Sequence, residues 1–138
     1  MRTERLDIAK PNGFPAMIDV INLTPHDVTV MPPSNAEVVN FPASGHFARV
    51  RESIGEEVWL DAGIGRVPLQ KLTYGEQVDD LPDPSPGVLY LVSRLTALSV
   101  RRDDLIFPQG ELRDDNGQII GCRGLGTFAD PTSIMGGE

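Results

Sequence analysis

The chain has 138 residues, of which 40% are hydrophobic and 23% charged, proportions that fit one soluble globular domain. Its formal net charge of −8 argues against general binding to nucleic acids or anionic membranes, which are themselves negatively charged. No apolar run approaches the roughly 18 residues of a membrane span, and no secretory signal is recognised at the start. The single cysteine, Cys122, excludes an intramolecular disulfide. We therefore expect a cytosolic protein.

The first segment has no sustained hydrophobic period. Residues 1–16 include Pro11-Asn12-Gly13-Phe14-Pro15 and predict an extended N-terminal arm. Met17 opens the first regular segment, so Met1 and Met17 both remain candidates for the natural start. The arm residues that we expect to contact a partner protein are Arg5, Leu6, Ile8 and Phe14.

Short β-type runs separated by Pro and Gly follow the arm. The first four predict an antiparallel meander and cover residues 18–23, 28–31, 37–41 and 47–51. Residues 57–60 and 67–74 predict further strands on either side of a Gly63-Ile64-Gly65 turn, and Pro68 confines the second to a sheet edge. The aromatic residues predicted to lie in the core are Phe41, Phe47, Trp59 and Phe107.

The second half predicts a central strand, a helix and a hairpin. After the Pro-rich loop 81–87, Val88–Val92 is the most apolar run and predicts a buried strand. Ser93 is the expected N-cap of one short amphipathic helix, which Arg101-Arg102 would close, and Asp103 and Asp104 are expected to pair with those arginines or with Arg113. Residues 105–108 return as a strand, and Asp115-Asn116-Gly117 predicts a hairpin turn.

These elements together predict a mostly-β protein of the α+β class. We expect a small antiparallel sheet or meander with one short helix and extended N- and C-terminal arms. The expected division is an arm at 1–16, a single β-rich domain at 17–125 and a tail at 126–138.

The sequence carries no recognised catalytic or metal-binding signature. His26 and His46 are the only histidines, and no Cys-x-x-Cys, His-Glu-x-x-His or Gly-x-Ser-x-Gly spacing occurs. The glycines of 121–126 follow a predicted hairpin, with a spacing opposite to that of a dinucleotide-binding loop. We therefore expect no enzyme activity, no metal and no cofactor. An anion cradle at Arg123 stays open as an alternative.

Polar residues at the ends of predicted strands suggest a second kind of site. If they converge, they form a pocket for a small ligand such as a nucleotide. The candidate ligand-binding residues are Asn22, His26, Ser93, Arg94, Arg113 and Arg123. For His26 a structural role in its turn weighs more than a binding role.

Several motifs follow one another in a distinctive order. They are Ile21-Asn22-Leu23-Thr24-Pro25-His26, Phe41-Pro42-Ala43-Ser44-Gly45, Tyr90-Leu91-Val92-Ser93, and Arg113-Asp114 leading to Gly121-Cys122-Arg123. The series resembles an uncharacterised family of small proteins from bacteriophages and their bacterial hosts, over about residues 18–126. This sequence departs from the pattern of the family at both ends and around residues 52–66. It implies a phage setting, in the host cytoplasm or the virion, and transfers no activity or catalytic residue.

Two functions remain in view from the sequence. The first is a non-catalytic protein-interaction module of phage origin, docking through its extended arms as a virion accessory or capsid-decoration protein, or as a host-factor binder. The second is a protein that binds or sequesters a small ligand such as a nucleotide. Neither involves nucleic-acid or membrane binding, and self-association is left open.

Overall fold

The computed structural model describes residues 3–9, 15–33 and 37–131. Nine strands and one helix are assigned in this part of the chain. They are β1 (Thr3–Ala9), β2 (Pro15–Asn22), β3 (Val28–Val30), β4 (Val39–Phe41), β5 (Arg49–Asp61), β6 (Arg66–Asp79), β7 (Val88–Leu91), α1 (Arg94–Ser99), β8 (Leu105–Arg113) and β9 (Ile119–Gly126). The mostly-β prediction with one short helix is confirmed. No helix among the described residues is long and apolar enough to cross a membrane.

Seven strands form one mixed sheet in the order β1-β2-β7-β8-β9-β3-β4. The antiparallel pairs are β1 with β2, β8 with β9 and β3 with β4. The pairs β2 with β7, β7 with β8 and β3 with β9 are parallel, and the sequence did not predict them. The first four runs differ from the expected meander, because β2 pairs with β1 and β7, and β5 pairs with β6.

The large sheet curls until its β2 and β4 strands meet. These strands are five positions apart in the sheet order, which in a flat sheet corresponds to about 24 Å. Yet Asn22 Nδ2 donates to the Phe41 carbonyl at 2.8 Å, and the Ser44 N–H donates to the Asn22 carbonyl at 3.1 Å. The curled sheet therefore encloses an apolar interior.

Strand alternation divides the core between the two faces of this sheet. The interior cluster consists of Ile18, Val20, Val28, Val30, Phe41, Leu89, Leu91, Ile106 and Cys122. The outer cluster lies beneath α1 and consists of Leu23, Tyr90, Val92, Ala97, Leu105 and Phe107. Strand β7 contributes to both, which confirms the prediction of a buried central strand at Val88–Val92.

Helix α1 begins where the sequence predicts. Ser93 is its N-cap, and the Ser93 hydroxyl accepts a hydrogen bond from the Thr96 N–H at 3.2 Å. The helix ends at Ser99 with Val100 as C-cap, so Arg101 and Arg102 lie beyond its last turn. The prediction that this arginine pair closes the helix and favours its dipole is therefore wrong.

The strands β5 and β6 form a separate two-stranded sheet, which we call the hairpin arm (residues 49–79). The pairing of its two strands runs from Arg49 opposite Asp79, at the base, to Asp61 opposite Arg66, next to the turn, with two register shifts. Thirteen residues of β5 extend on the order of 40 Å. Pro68 has no N–H to donate, and a two-stranded sheet accommodates it because both of its strands are edges.

The chain ends lie partly outside the described residues. Thr3–Ala9 form the edge strand β1, in register with β2 so that Arg5 is opposite Asp19, Leu6 opposite Ile18 and Ile8 opposite Ala16. Phe14 and residues 132–138 are outside the described ranges. The division into arm, domain and tail stays a prediction.

Candidate functional site

An open groove of about 750 Å³ lies between the β8–β9 hairpin and the loop that follows β2. The predicted Asp115-Asn116-Gly117 turn that joins these strands is confirmed, with Gly117 at φ +81°. The apolar wall of the groove consists of Val28, Pro108, Ile119, Ile120 and Cys122. Its polar rim includes Thr24, His26, Asp27, Ser93, Arg94 and Glu111. The combination of an apolar wall with a few polar groups suits a binding surface.

The structure brings three of the six predicted ligand residues to this groove. His26, Ser93 and Arg94 line it, and all three side chains are exposed. The other three do not line it, and each has hydrogen bonds of its own. Their convergence at one site is thus only partial, and ligand binding stays a prediction.

Asn22 has a structural role at the closure of the sheet. Its side chain is 1% exposed and makes four hydrogen bonds. The amide nitrogen donates to the carbonyl oxygens of His26 at 2.9 Å and Phe41 at 2.8 Å. The amide oxygen accepts from the Thr24 N–H at 2.9 Å and the Thr24 hydroxyl at 2.7 Å. Asn22 therefore ties the loop beside the groove to β4.

Arg113 stabilises the β8–β9 hairpin, whereas Arg123 links β9 to the end of β3. The Arg113 guanidinium donates to the Gly117 carbonyl at 2.6 Å and to Glu111 at 3.1 Å. Arg123 donates to the Met31 carbonyl at 3.5 Å, across the junction of β9 with the end of β3. Both side chains are exposed and stand outside the groove lining.

The charged side chains on the groove rim have different kinds of partner. Asp27 accepts a hydrogen bond from the Ala43 N–H at 2.9 Å, and Glu111 is paired with Arg113. Arg94 donates to the neutral amide oxygen of Gln109 at 2.7 Å, and its guanidinium lies 5.2 Å from the centroid of the Phe107 ring. These two contacts position the Arg94 charge without neutralising it.

The predicted Arg–Asp pairing is found within the loop before β8. Arg102 forms a bidentate contact with Asp104, at 2.9 Å and 2.6 Å, and both side chains are mostly buried. The hydrogen bond to Asp104 raises the pKa of Arg102 above its ordinary value. Arg113, the alternative partner, pairs with Glu111 instead.

Cys122 contributes to the interior core and to the groove wall. Its thiol contacts the Thr29 carbonyl at 3.6 Å. Burial raises the pKa of the Cys122 thiol, so the protonated form, which is a weak nucleophile, dominates at neutral pH. No group of three or more His, Cys, Asp or Glu side chains within the described ranges could hold a metal ion.

The hairpin arm is the second candidate site. Among its described side chains only Val50 and Val78, which are opposite each other near the base, are partly buried. Trp59 is 54% exposed, so its prediction as a core residue is wrong. Phe41 and Phe107 are buried as predicted, and Phe47 is partly buried beneath the Arg49 guanidinium.

Apolar side chains occupy both faces of the arm. One face carries an uncharged aliphatic patch, formed by the opposite pairs Val58 with Leu69 and Leu60 with Val67, which are 44% to 53% exposed. The other face carries Trp59 and Pro68, with Ile54 and Leu72 nearer the base. Ile64, in the turn, is fully exposed. We call the first face the aliphatic face and the second the Trp59 face.

Sequence reasoning found the strands of the arm and missed its exposure. Val58, Trp59 and Leu60 are consecutive, so alternation directs apolar side chains to both faces, a pattern typical of a strand buried on both sides. Pro68 was the available contrary signal, since it excludes a central strand.

Comparison of the chain with protein-family models, curated proteins and solved structures finds no match.

Proposed function

We propose that this chain is a non-catalytic protein-interaction module that docks on a partner protein through its hairpin arm. The observation that carries the proposal is the exposure of large apolar side chains on both faces of a ribbon with only two strands. An isolated two-stranded hairpin is marginally stable in water because nothing covers its faces. A partner surface would supply the missing cover.

The size of the apolar surface favours a protein as partner. The arm exposes nine large apolar residues, namely Ile54, Val58, Trp59, Leu60, Ile64, Val67, Leu69, Leu72 and Tyr74. Most are about half exposed, so covering each would contribute about 1 kcal/mol. Monomeric proteins rarely expose an apolar patch larger than a few hundred Å², and larger patches mark interaction sites.

The terminal arms and the phage setting belong to the same proposal. Arg5, Leu6 and Ile8 stand on the edge strand β1, and an edge strand can pair with a strand of a partner. With Phe14 they remain the proposed partner contacts of residues 1–16. In the setting suggested by the family resemblance, the partner is a virion component or a host protein in the bacterial cytoplasm.

Site-specific cross-linking tests the proposed function. A photo-crosslinking amino acid replaces Trp59 in one variant and Asn116, in the exposed turn between β8 and β9, in the control. The variants are irradiated in a lysate of cells or particles that contain the protein. We expect the Trp59 variant to form a cross-link with a protein and the Asn116 control to form none. Absence of any protein adduct at Trp59, both in the lysate and in the purified chain, would refute docking through the arm.

Small-ligand binding is the second candidate, and the groove favours it. His26, Ser93 and Arg94 lie along a wall with apolar side chains, where the Arg94 charge suits an anionic group. Mono-, di- and cyclic nucleotides are then screened by thermal shift against wild type and Arg94→Ala. A nucleotide at 100 times its dissociation constant stabilises by about 2.7 kcal/mol. No shift with any nucleotide would eliminate this class of ligand.

A further inference from the structure

We propose that the groove binds an aliphatic monocarboxylate, an anion with a single carboxylate head and a hydrocarbon chain. The carboxylate pairs with the Arg94 guanidinium on the rim, and the chain lies along the wall that contains Ile119 and Ile120. This inference rests on the second candidate function, ligand binding in the groove, and names the class of ligand. Docking through the hairpin arm does not depend on it.

The size and the wall of the groove suit a small amphipathic molecule. Its volume of about 750 Å³ lies within the range of about 300–1,000 Å³ that is usual for small-molecule sites. Ile119 is 55% exposed and Ile120 is 48% exposed on the groove wall, which Val28 and Cys122 continue into the interior core. A hydrocarbon chain placed along this wall would remove apolar surface of both molecules from water.

The Arg94 guanidinium is held at the rim by two neutral partners. One N–H donates to the amide oxygen of Gln109 at 2.7 Å, and the guanidinium lies 5.2 Å from the centroid of the Phe107 ring. A guanidinium has five N–H donors, so a carboxylate can still accept two bonds from it in the bidentate geometry. Because the side chain is positioned in advance, less conformational entropy is lost when the carboxylate binds.

Hydrogen bonds also fix the two sides of the groove. On one side, the Asn22 amide nitrogen donates to the His26 carbonyl at 2.9 Å and holds the loop after β2. On the other side, Arg113 donates to the Gly117 carbonyl at 2.6 Å and holds the turn between β8 and β9. The groove is therefore formed before a ligand enters, as is usual for small-molecule sites.

The lining of the groove favours a monocarboxylate over a nucleotide. Among its described residues there is no Phe, Tyr or Trp on which a base could stack, and Arg94 is the single Arg or Lys. A phosphate monoester carries about 1.5–2 negative charges at pH 7, and the carboxylates of Asp27 and Glu111 stand on the same rim. One guanidinium matches the single charge of a carboxylate, and the isoleucine wall matches an aliphatic chain.

A titration of the full chain with three probes tests the inference. Octanoate has both parts of the proposed ligand, octanol lacks the charge, and adenosine monophosphate has an anionic group without an aliphatic chain. Heteronuclear NMR spectra follow the backbone amides, so they give the dissociation constant and the location of each probe together. Butanoate and hexanoate extend the measurement to shorter chains.

We expect octanoate to shift the amide signals of Ile119 and Ile120, and adenosine monophosphate to leave them unchanged. Octanol should bind at least about tenfold more weakly than octanoate, because it cannot form the charged hydrogen bonds to Arg94. Each CH₂ group added between butanoate and octanoate should tighten binding by about twofold to fourfold, since full burial of a CH₂ is equivalent to about fourfold.

Two variants identify the parts of the site. Arg94→Gln should weaken octanoate binding at least about tenfold and leave octanol binding unchanged. Its matched control is Arg101→Gln, which removes an exposed arginine outside the groove lining whose guanidinium also lies near an aromatic ring, that of Phe128 at 5.5 Å. This control should bind octanoate as wild type does.

The second variant, Ile120→Asp, places a carboxylate on the groove wall and should abolish the gain in affinity with chain length. Its control is Val38→Asp, at an exposed aliphatic residue outside the groove lining, which should retain that gain. Thermal unfolding verifies that all four variants are folded.

Four results would overturn the inference. The first is no binding of octanoate below the concentration at which it forms micelles. The second is equal affinity of wild type and Arg94→Gln for octanoate, which would exclude recognition of the carboxylate by Arg94. The third is a set of octanoate shifts confined to residues 58–69, which would show adsorption to the hairpin arm. The fourth is binding of adenosine monophosphate in the groove without binding of octanoate, which would leave the small-ligand function standing with another class of ligand.

Discussion

Asn22→Asp replaces one amide nitrogen by oxygen and leaves the size of a buried side chain almost unchanged. In the native chain that nitrogen donates to the carbonyl oxygens of His26 and Phe41, at 2.9 Å and 2.8 Å. A carboxylate cannot donate to either, so at neutral pH a negative charge would face two carbonyl oxygens. The loop after β2 and the closure of the sheet at β4 depend on these bonds.

The expected cost follows from the contacts that are lost. Two hydrogen bonds are removed, at about 1 kcal/mol each, and the buried Phe41 carbonyl is left unsatisfied at a further 1–3 kcal/mol. We therefore expect Asn22→Asp to lower the free energy of unfolding by about 3–5 kcal/mol at pH 7. For a chain of this size the unfolding midpoint should fall by roughly 10 °C or more.

The pH dependence gives a second, independent measurement. Burial beside two carbonyl oxygens should raise the pKa of the new carboxyl in the folded state above its unfolded value of about 3.9. The folded variant then holds a proton that the unfolded chain has lost, so its stability relative to wild type falls as the pH rises from about 4 through that raised pKa. Urea unfolding at several pH values between 4 and 7.5 measures this difference.

The control is Asn116→Asp, which makes the same chemical change at an exposed turn residue. It should unfold within about 0.5 kcal/mol of wild type at every pH. If Asn22→Asp matched this control at pH 7, the Asn22 contacts would not be what closes the sheet. A stability difference that failed to shrink on acidification would refute the raised pKa.

Three further predictions concern the β9 strand and the base of the arm. Gly121→Ala should destabilise the fold by about 1–3 kcal/mol in urea unfolding, because the added Cβ would lie 2.9 Å from a carbonyl oxygen of β3. Gly124→Ala, with nothing within 4 Å of the added Cβ, should change stability little, and equal costs for the two variants would contradict the close approach of β9 to β3. Cys122 should react with a thiol reagent at pH 8 at least about tenfold faster in denaturant than in the folded chain, because burial raises the pKa of its thiol. Equal rates in the two states would show that the thiol is accessible in the folded chain. The hydrogen bond from Arg51 lowers the pKa of Asp79, so the stability contributed by this pair is present above about pH 3.9 and lost as the pH falls through the lowered folded-state pKa. NMR titration of the Asp79 carboxyl should show the lowered pKa, and an unchanged titration in Arg51→Ala would exclude Arg51 as its cause.

Local signals predicted the elements that depend on neighbouring residues. The Ser93 N-cap and the Asp115-Asn116-Gly117 turn were both identified correctly, because a cap and a tight turn are decided by the conformational preferences of a few adjacent residues. The apolar run at 88–92 predicted a buried strand for the same kind of reason. What these signals could not specify was which strand pairs with which.

The candidate sites depended more strongly on long-range packing. His26, Ser93 and Arg94 meet at the groove because β8 and β9 reach past the loop after β2, and no spacing in the sequence indicates that approach. Asn22 was chosen as a polar residue at a strand end, yet its side chain is fully used in closing the sheet. Trp59 was assigned to the core because large aromatic residues are usually buried.

The sequence by itself determined a mostly-β chain with one short helix, a single cysteine and an excess of negative charge. Alternation, turn residues and composition determine those properties, since each depends on residue types or on neighbours along the chain. Only the tertiary structure decided that the sheet closes through Asn22 and that Trp59 faces solvent on a projecting arm. An apolar residue at a strand position is buried only if another element covers it, and here the sheet closes without the arm.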